Sequence, residues 1–205
     1  MQGLSKLFDW VAKLAYLNVL WIVYTALGLV IFGVGPATVS VFTIIRKWLR
    51  NEEGFSIWSR FNATYKEEFW RANKLMLVII PVLLFIYVDL RIIQALPESF
   101  LIDKIVFPAV ILLGLLVMVA FSYVLAVFVH YDLPYWTNFK NAVLIAGLFP
   151  LSTILMVFGL TVFLLIAFIF PAIIPFYLVS VPALIIQLCA LRGFRKLSSY
   201  KAKTT

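Results

Sequence analysis

The sequence predicts an all-α integral membrane protein: a polytopic transmembrane helical bundle of about six helices, with an amphipathic interfacial helix on its cytoplasmic side. Two observations predict this class. Of the 205 residues, 64% are hydrophobic and 13% are charged, whereas a soluble domain carries about 25% charged residues. In addition, the apolar residues form runs long enough to cross a ~30 Å hydrocarbon core. We therefore treat residues 1–205 as one transmembrane domain.

The first apolar run, residues 14–45, contains no charge. As one helix it would be about 48 Å long, which exceeds the membrane core. The sequence Gly33-Val34-Gly35-Pro36-Ala37 interrupts it, because glycines permit a tight turn and proline suits the first turn of a helix. We predict helices over 14–32 and 36–50, with Gly35 in a conformation that opposes a side chain. If the second helix does not cross, the count is five and the N-terminus lies outside.

Four further spans follow from the remaining apolar runs. They are predicted over residues 75–95, 105–129, 141–165 and 168–191. The last span contains Pro171, Pro175 and Pro182, and membrane helices tolerate proline when neighbouring groups satisfy the freed carbonyls. We therefore expect the last helix to be kinked.

Lysines and arginines concentrate in two parts of the chain, and cytoplasmic loops accumulate these residues. Seven of the 17 lie in segment 46–74, and five follow Leu191. We predict that this segment and both termini are cytoplasmic, and that loop 91–104 lies outside. Because the cations flank membrane spans, the net charge of +8 indicates contact with the lipid bilayer rather than with nucleic acid.

The cytoplasmic segment 55–70 has helical periodicity. An aromatic stripe recurs at spacings of three and four residues, at Phe55, Trp58, Phe61, Tyr65 and Phe69. Polar residues that include Arg60, Lys66 and Arg71 fall off this stripe, Ser56 is placed to cap the helix, and Glu67 is spaced to pair with Arg71. This pattern is typical of an interfacial helix. The stripe either anchors the helix on its own membrane domain or docks a partner.

No residue pattern indicates a catalytic or metal site. The chain has one histidine, His130, which with Asp132 we interpret as a cap at a helix end, and one cysteine, Cys189. A multi-histidine metal site, a disulfide within the chain and a phosphate-binding glycine loop are therefore excluded by composition or motif. We predict a protein that is not an enzyme and uses no cofactor.

Three polar residues fall inside or beside predicted spans. Asn18 lies within the first span, and its amide is expected to seek a partner on another helix. Asp89 and Arg91 form the one charged pair in a span, where charged residues are candidates for solute or proton contact. Asp89 lies about 22 Å along the helix from Lys74. That position favours snorkelling at the outer boundary.

A weak internal repeat aligns Phe69-Trp70-Arg71-Ala72 with Phe139-Lys140-Asn141-Ala142. The alignment pairs Pro81 with Pro150, and it pairs Phe107-Pro108-Ala109 with Phe170-Pro171-Ala172. Parallel repeats occur in some transporters. The pattern therefore supports an alternative function as a stand-alone small-solute transporter.

The N-terminal third resembles the YesL family of bacterial membrane proteins. The resemblance depends on Asn18-x-x-Trp21, Gly35-Pro36-Ala37-Thr38, Arg46-Lys47-Trp48, Phe61 and Phe69-x-x-Ala72-Asn73, over residues 7–80. It implies a multi-pass protein of the bacterial plasma membrane, encoded beside carbohydrate ABC importers. The expected function is that of an accessory subunit or assembly factor, with importer permease subunits as possible partners.

Overall fold

A computed structural model describes residues 2–52, 54–97, 99–131 and 134–204, and within them the side chains between residues 8 and 194. The side chains of Lys6, Glu53, Glu98, Asp132 and Lys201 lie outside this description. The described helices are α1 (Gln2–Leu27), α2 (Val34–Leu49), α3 (Ile57–Glu67), α4 (Phe69–Ala95), a π-helical turn (Ile102–Val106), α5 (Phe107–His130), α6 (Tyr135–Leu148), α7 (Pro150–Ile169), a 3₁₀ turn (Pro171–Ile173), α8 (Ile174–Tyr177) and α9 (Ser180–Thr204). The predicted all-α fold class is confirmed.

Four segments of the described residues are long and apolar enough to cross a membrane. They are Phe8–Leu27, Phe69–Ala95, Ile102–His130 and Pro150–Ile169. A fifth is the broken pair Pro171–Tyr177 and Ser180–Phe194, whose two parts meet at 63°. The protein is therefore a multi-pass membrane protein, and the expected kink in the last helix is confirmed.

The turn between α1 and α2 lies earlier than the sequence suggests. Helix α1 ends at Leu27 and α2 begins at Val34, so the predicted bounds of 14–32 and 36–50 are shifted. The left-handed residues are Leu29 and Val30, with φ of 56° and 65°. Gly35 is helical, so its predicted special conformation is wrong. Its lack of a side chain instead permits close packing, because a Cβ there would lie 3.0 Å from Cγ of Met76.

Both ends of α2 contact the same end of the α4–α5 hairpin. At its N-terminal end, Gly35 packs against the backbone of Ala72 in the first turn of α4. At its C-terminal end, Arg46 donates hydrogen bonds to the carbonyls of Val129 and His130, the last residues of α5. We call this end of the bundle the polar end and the opposite end, at the α4–α5 connection, the loop end. Helix α2 therefore lies across the polar end and does not run from one end to the other.

Helix α1 packs antiparallel to α2. Trp10 of α1 makes an edge contact with Trp48 at 5.7 Å between ring centroids, and the Nε1 of Trp21 donates to Oγ1 of Thr38 at 3.0 Å. The α1–α2 turn is fixed at the polar end, because Nδ2 of Asn73 donates to the carbonyl of Phe32. Trp10 and the α1–α2 turn are thus both held near the polar end, so α1 does not run between the two ends, although it is long and apolar enough to cross a membrane. The four segments that do so are α4, α5, α7 and the broken α8–α9 pair.

The predicted span over 141–165 is interrupted in the structure. Helix α6 ends at Leu148 and α7 begins at Pro150. Proline suits the start of a helix, because the first backbone amides have no acceptor within the helix and the absent N–H costs no hydrogen bond. Pro81, which the proposed repeat pairs with Pro150, lies in the interior of α4. This part of the repeat is wrong, because one proline starts a helix and the other lies within one.

Candidate functional site

A polar groove opens at the polar end, between α2, α3, α4 and the end of α5. Its volume is about 340 Å³. We call this cavity the polar groove. Its lining consists of Val39, Thr43, Arg46, Arg60, Thr64, Glu67, Glu68, Arg71, Phe128, Val129, His130 and Tyr131. Such a concentration of charged side chains contrasts with the apolar surface of the spanning helices, so this groove is the candidate site.

Arg46 closes the groove on the side of α2 and α5. The last carbonyls of an α-helix have no partner within the helix. The Nη1 atom of Arg46 donates to two of them in α5, to Val129 and at 3.3 Å to His130. The next residue, Lys47, ion-pairs with Glu52 at 2.8 Å, and this hydrogen bond lowers the pKa of the Glu52 carboxyl. Arg46 and Lys47, two predicted motif residues, therefore fix the end of α2 in place.

Helix α3 contributes Arg60 and Thr64 to the groove. Its N-terminus is capped as predicted, because the Ser56 hydroxyl accepts from the Ser59 amide at 3.4 Å. Within the described residues, Nε of Arg60 and Oγ1 of Thr64 are shielded from solvent and have no hydrogen-bond partner. The same holds for Nε of Arg46 and Nδ1 of His130. Shielded polar atoms without partners are costly, so the groove is suited to a polar occupant.

Arg71 and Glu68 form the α4 side of the groove. Their side chains pair at 3.2 Å with a spacing of three residues. The predicted pair of Arg71 with Glu67 is therefore wrong, because α3 ends at Glu67 and the break before α4 redirects the chain. The Arg71 guanidinium also lies 5.2 Å from the centre of the Phe128 ring. A cation over a desolvated aromatic face is stabilised by the ring quadrupole.

The aromatic stripe of α3 packs against α1. Tyr24 of α1 has ring contacts of 4.9 Å with both Phe61 and Tyr65, and of 5.6 Å with Trp58. The Tyr65 hydroxyl donates to the Tyr24 carbonyl at 3.2 Å, and burial raises the pKa of Tyr65. Phe69 begins α4 and continues the contact with Tyr65. Most of the stripe is thus internal packing, while Trp58 is half exposed and Lys66 is exposed.

Asn18 is buried where α8 meets α9. Its Nδ2 donates to the Pro175 carbonyl at 2.8 Å. Its Oδ1 accepts from the amides of Val179 and Ser180 at 2.9 and 3.3 Å. These backbone groups lack helical partners because the helix is broken there. The amide does contact another helix, and it does so by capping both sides of a break.

The charged pair at the end of α4 lies away from the groove. Asp89 is half-buried and Arg91 is exposed, both in the last turns of a helix that ends at Ala95. No ion pair joins them to each other or to another described residue. Their position at the loop end matches snorkelling, and the structure brings neither residue to the polar groove.

A second cavity lies within the membrane, between α4, α5 and α7. Its volume is about 380 Å³, and its lining is apolar except for two hydroxyls. Ser122 donates to the Met118 carbonyl at 2.9 Å, and Thr161 donates to the Val157 carbonyl at 2.9 Å. Because both hydroxyls donate within their own helices, the side chains of this lining offer an occupant no hydrogen-bond donor, and the hydroxyl oxygens remain only as acceptors.

Of the residues that line the polar groove, the sequence identifies only Arg46, Arg60 and Arg71 as site candidates, and it misses polar residues such as Thr64, Glu68 and His130. Thr64 in α3 and Glu68 between α3 and α4 are only four residues apart, but His130 lies at the end of α5, and no local spacing relates it to the other two. The sequence predicts His130 to be a helix cap, and in the structure its ring stacks on that of Phe194 in α9, with 4.3 Å between the ring centroids. The available signal was Arg46, a cation in a segment that is otherwise buried and therefore requires a polar neighbour.

Comparison with known proteins shows one family and three relatives to which the chain is similar. Residues 14–90 match the family described as "Protein of unknown function, DUF624". The Bacillus subtilis (strain 168) "Uncharacterized protein YesV" is 36% identical over 186 residues, which cover 91% of this chain and 88% of the relative. "Uncharacterized protein YesL" of the same organism is 32% identical over 203 residues, covering 98% and 94%.

A third relative in that organism, "Uncharacterized protein YteU", is 34% identical over 186 residues, covering 90% of this chain and 80% of the relative. No solved structure matches the chain. The relatives align with nearly the whole chain, so the likeness extends from the N-terminal motif through the bundle. The protein belongs to the YesL-like DUF624 family of membrane proteins.

Proposed function

We propose that this protein is a non-catalytic accessory subunit or assembly factor of a carbohydrate ABC importer in the bacterial plasma membrane. The observation that carries the proposal is the intramembrane cavity between α4, α5 and α7. A solute pathway for a sugar needs hydrogen-bond donors and acceptors directed into it, whereas the hydroxyls of Ser122 and Thr161 donate to carbonyls of their own helices.

The outer surface of α4 supports an interaction role. Large apolar side chains cover it along its length, and Leu77 and Phe85 are 72% and 66% exposed. Such a surface suits both lipid and the helices of another membrane protein, because packing between helices in a membrane rests on van der Waals contact. The importer as partner comes from the family resemblance.

Affinity purification tests this function. The full chain, tagged and expressed at its native level, is extracted from its own membrane in a mild detergent, and an unrelated multi-pass protein serves as control. We expect importer permease subunits to co-purify at a constant ratio to the tagged chain. Uptake of sugar into proteoliposomes that contain the chain alone would support the transporter alternative and contradict the proposal.

A second comparison asks whether α3 contacts the partner. Trp58→Ala and Lys66→Gln alter side chains that α3 exposes, without removing the contacts of Tyr24 with Phe61 and Tyr65. If α3 docks the importer, both variants retain the fold and lose co-purification. If both variants keep the partner in full, the docking surface lies elsewhere, and the apolar face of α4 is the next surface to vary.

A further inference from the structure

We propose that the polar groove binds a phosphate-bearing anion, held by Arg46 and Arg60. The groove combines three arginines with two glutamates. Glu68 is paired with Arg71, and neither Arg46 nor Arg60 has a carboxylate within ion-pair distance among the described residues. Two guanidinium groups on neighbouring helices are therefore left facing one cavity.

Like charges held close together repel each other, and burial removes the water that would screen them. Burial, followed by the nearby cations Arg50 and Arg60, lowers the pKa of Arg46, and the Glu52 carboxylate opposes this shift only in part. An anion between Arg46 and Arg60 would reverse this unfavourable interaction. Guanidinium groups bind phosphate oxygens through paired hydrogen bonds, which makes a phosphate group well matched to two arginines.

Neighbouring side chains add hydrogen-bonding capacity. The Thr64 hydroxyl and Nδ1 of His130 are shielded and without partners in the described part of the chain. A hydroxyl donates to a phosphate oxygen, and an imidazole does so in the tautomer that carries its proton on Nδ1. The Phe128 side chain and Val39 supply an apolar wall. The groove thus suits a phosphate group attached to a larger, partly apolar body better than it suits a bare ion.

Two sources supply this chemistry: the headgroup of an anionic lipid and a soluble phosphate compound. Trp70 and Trp136, which are 72% and 71% exposed, lie at the polar end. Because tryptophan is enriched where a membrane meets water, this end corresponds to the level of a membrane–water interface. Lipid headgroups therefore lie at the height of the groove. A soluble phosphate compound reaches the same level from the aqueous side.

The test measures the thermal midpoint of the full chain by tryptophan fluorescence. One arm titrates inorganic phosphate against chloride at matched ionic strength in an uncharged detergent. The other compares nanodiscs of phosphatidylcholine with nanodiscs that also contain phosphatidylglycerol. We expect a saturable rise of the midpoint in at least one arm. A rise with phosphatidylglycerol alone assigns the site to lipid, and a rise with inorganic phosphate assigns it to a soluble compound.

Arg60→Gln should weaken the anion dependence about tenfold or more, because it removes a charged donor. Lys66→Gln removes the same charge from an exposed position of the same helix and should leave the dependence unchanged. Arg60→Lys preserves the charge without the forked donors, so it should weaken binding less, and it replaces Arg60→Gln if that variant does not fold. The proposal is overturned if neither arm shifts the midpoint, or if changes at Arg60 and Lys66 have equal effects.

Discussion

Asn18 satisfies three backbone groups that the break between α8 and α9 leaves open. Its amide has one donor side and one acceptor side, and the break presents the carbonyl of Pro175 on one side and the amides of Val179 and Ser180 on the other. No aliphatic residue offers both functions. A break in an apolar helix therefore depends on this side chain.

Asn18→Leu should lower the free energy of unfolding by about 2 kcal/mol or more, since it leaves buried backbone groups without partners. The measurement is the thermal midpoint in a fixed detergent, together with hydrogen exchange at residues 174–180, which should accelerate. Thr161→Val is the control, because its hydroxyl bonds only to its own helix. Equal midpoints for the two variants would show that the break does not depend on Asn18.

Gly33 and Gly35 differ in how closely other atoms approach them. A Cβ at Gly33 would lie 2.4 Å from the carbonyl oxygen of Thr25, which is backbone and cannot move aside. A Cβ at Gly35 would meet the flexible end of Met76 at 3.0 Å. Gly33 therefore has less room for a side chain than Gly35, and Gly28 in the same turn is similarly restricted, because its Cβ would clash with the backbone of Gly33.

We expect Gly33→Ala to destabilise the fold by about 1–3 kcal/mol through overpacking. Gly35→Ala should cost less, because methionine adapts its shape. Thermal midpoints of the two variants in the same detergent decide the order. A larger loss for Gly35→Ala would mean that the contact of Gly35 with α4 is tighter than the contact of Gly33 with the backbone of Thr25.

At the scale of elements, α2 separates this fold from a simple bundle of spanning helices. Its 16 residues include eleven buried ones, and both of its ends contact the polar end. It is central, since it packs on α1, α3, α4, α5 and α9. The α1–α2 turn carries Ile31 at 73% exposure, beside the first turns of α4 at the polar end.

Cysteine labelling checks this arrangement in the background Cys189→Ala. An impermeant thiol reagent applied to intact cells should label Ser99→Cys at the loop end and should leave Ile31→Cys unlabelled. Ser59→Cys, on the exposed side of α3, should react only after the membrane is permeabilised. Labelling of Ile31→Cys from outside, at the rate of Ser99→Cys, would show that α1 and α2 form a transmembrane hairpin.

Helix α3 places one aromatic side chain in the folded core and another at the surface. Phe61 is fully buried against Tyr24, whereas Trp58 is half exposed. Phe61→Ala should therefore cost about 3–5 kcal/mol, the range for a buried aromatic, and Trp58→Ala should cost distinctly less. Thermal midpoints of the two variants give the comparison. Equal losses would place Trp58 in the folded core as well.

At the scale of the whole molecule, polar groups gather at one end. The polar groove, the exposed tryptophans and the stack of His130 on Phe194 all lie there, and the cation-rich tail continues from Phe194. Four segments running between the ends return the chain to the side on which it starts. Together with the excess of lysine and arginine, this supports a polar end that faces the cytoplasm.

Reporter fusions test that orientation for the full chain. Green fluorescent protein joined to the C-terminus should fluoresce, since it folds in the cytoplasm, and alkaline phosphatase at the same position should be inactive. Inserted between Pro97 and Ser99 at the loop end, alkaline phosphatase should be active. An active phosphatase at the C-terminus would invert the orientation, and with it the assignment of the polar groove to the cytoplasm.

The sequence by itself determined the class of the protein, the location of its cations, the capped start of α3 and the kinked last helix. These properties follow from composition and from residues a few positions apart. Only the tertiary structure decided that α2 lies across the bundle, that the aromatic stripe faces Tyr24, and that Arg46 meets α5. An aromatic stripe is stabilised by burial in lipid or in protein alike, so periodicity cannot choose between them. The choice depends on contacts between distant residues, such as Arg46 with Val129, 83 positions apart.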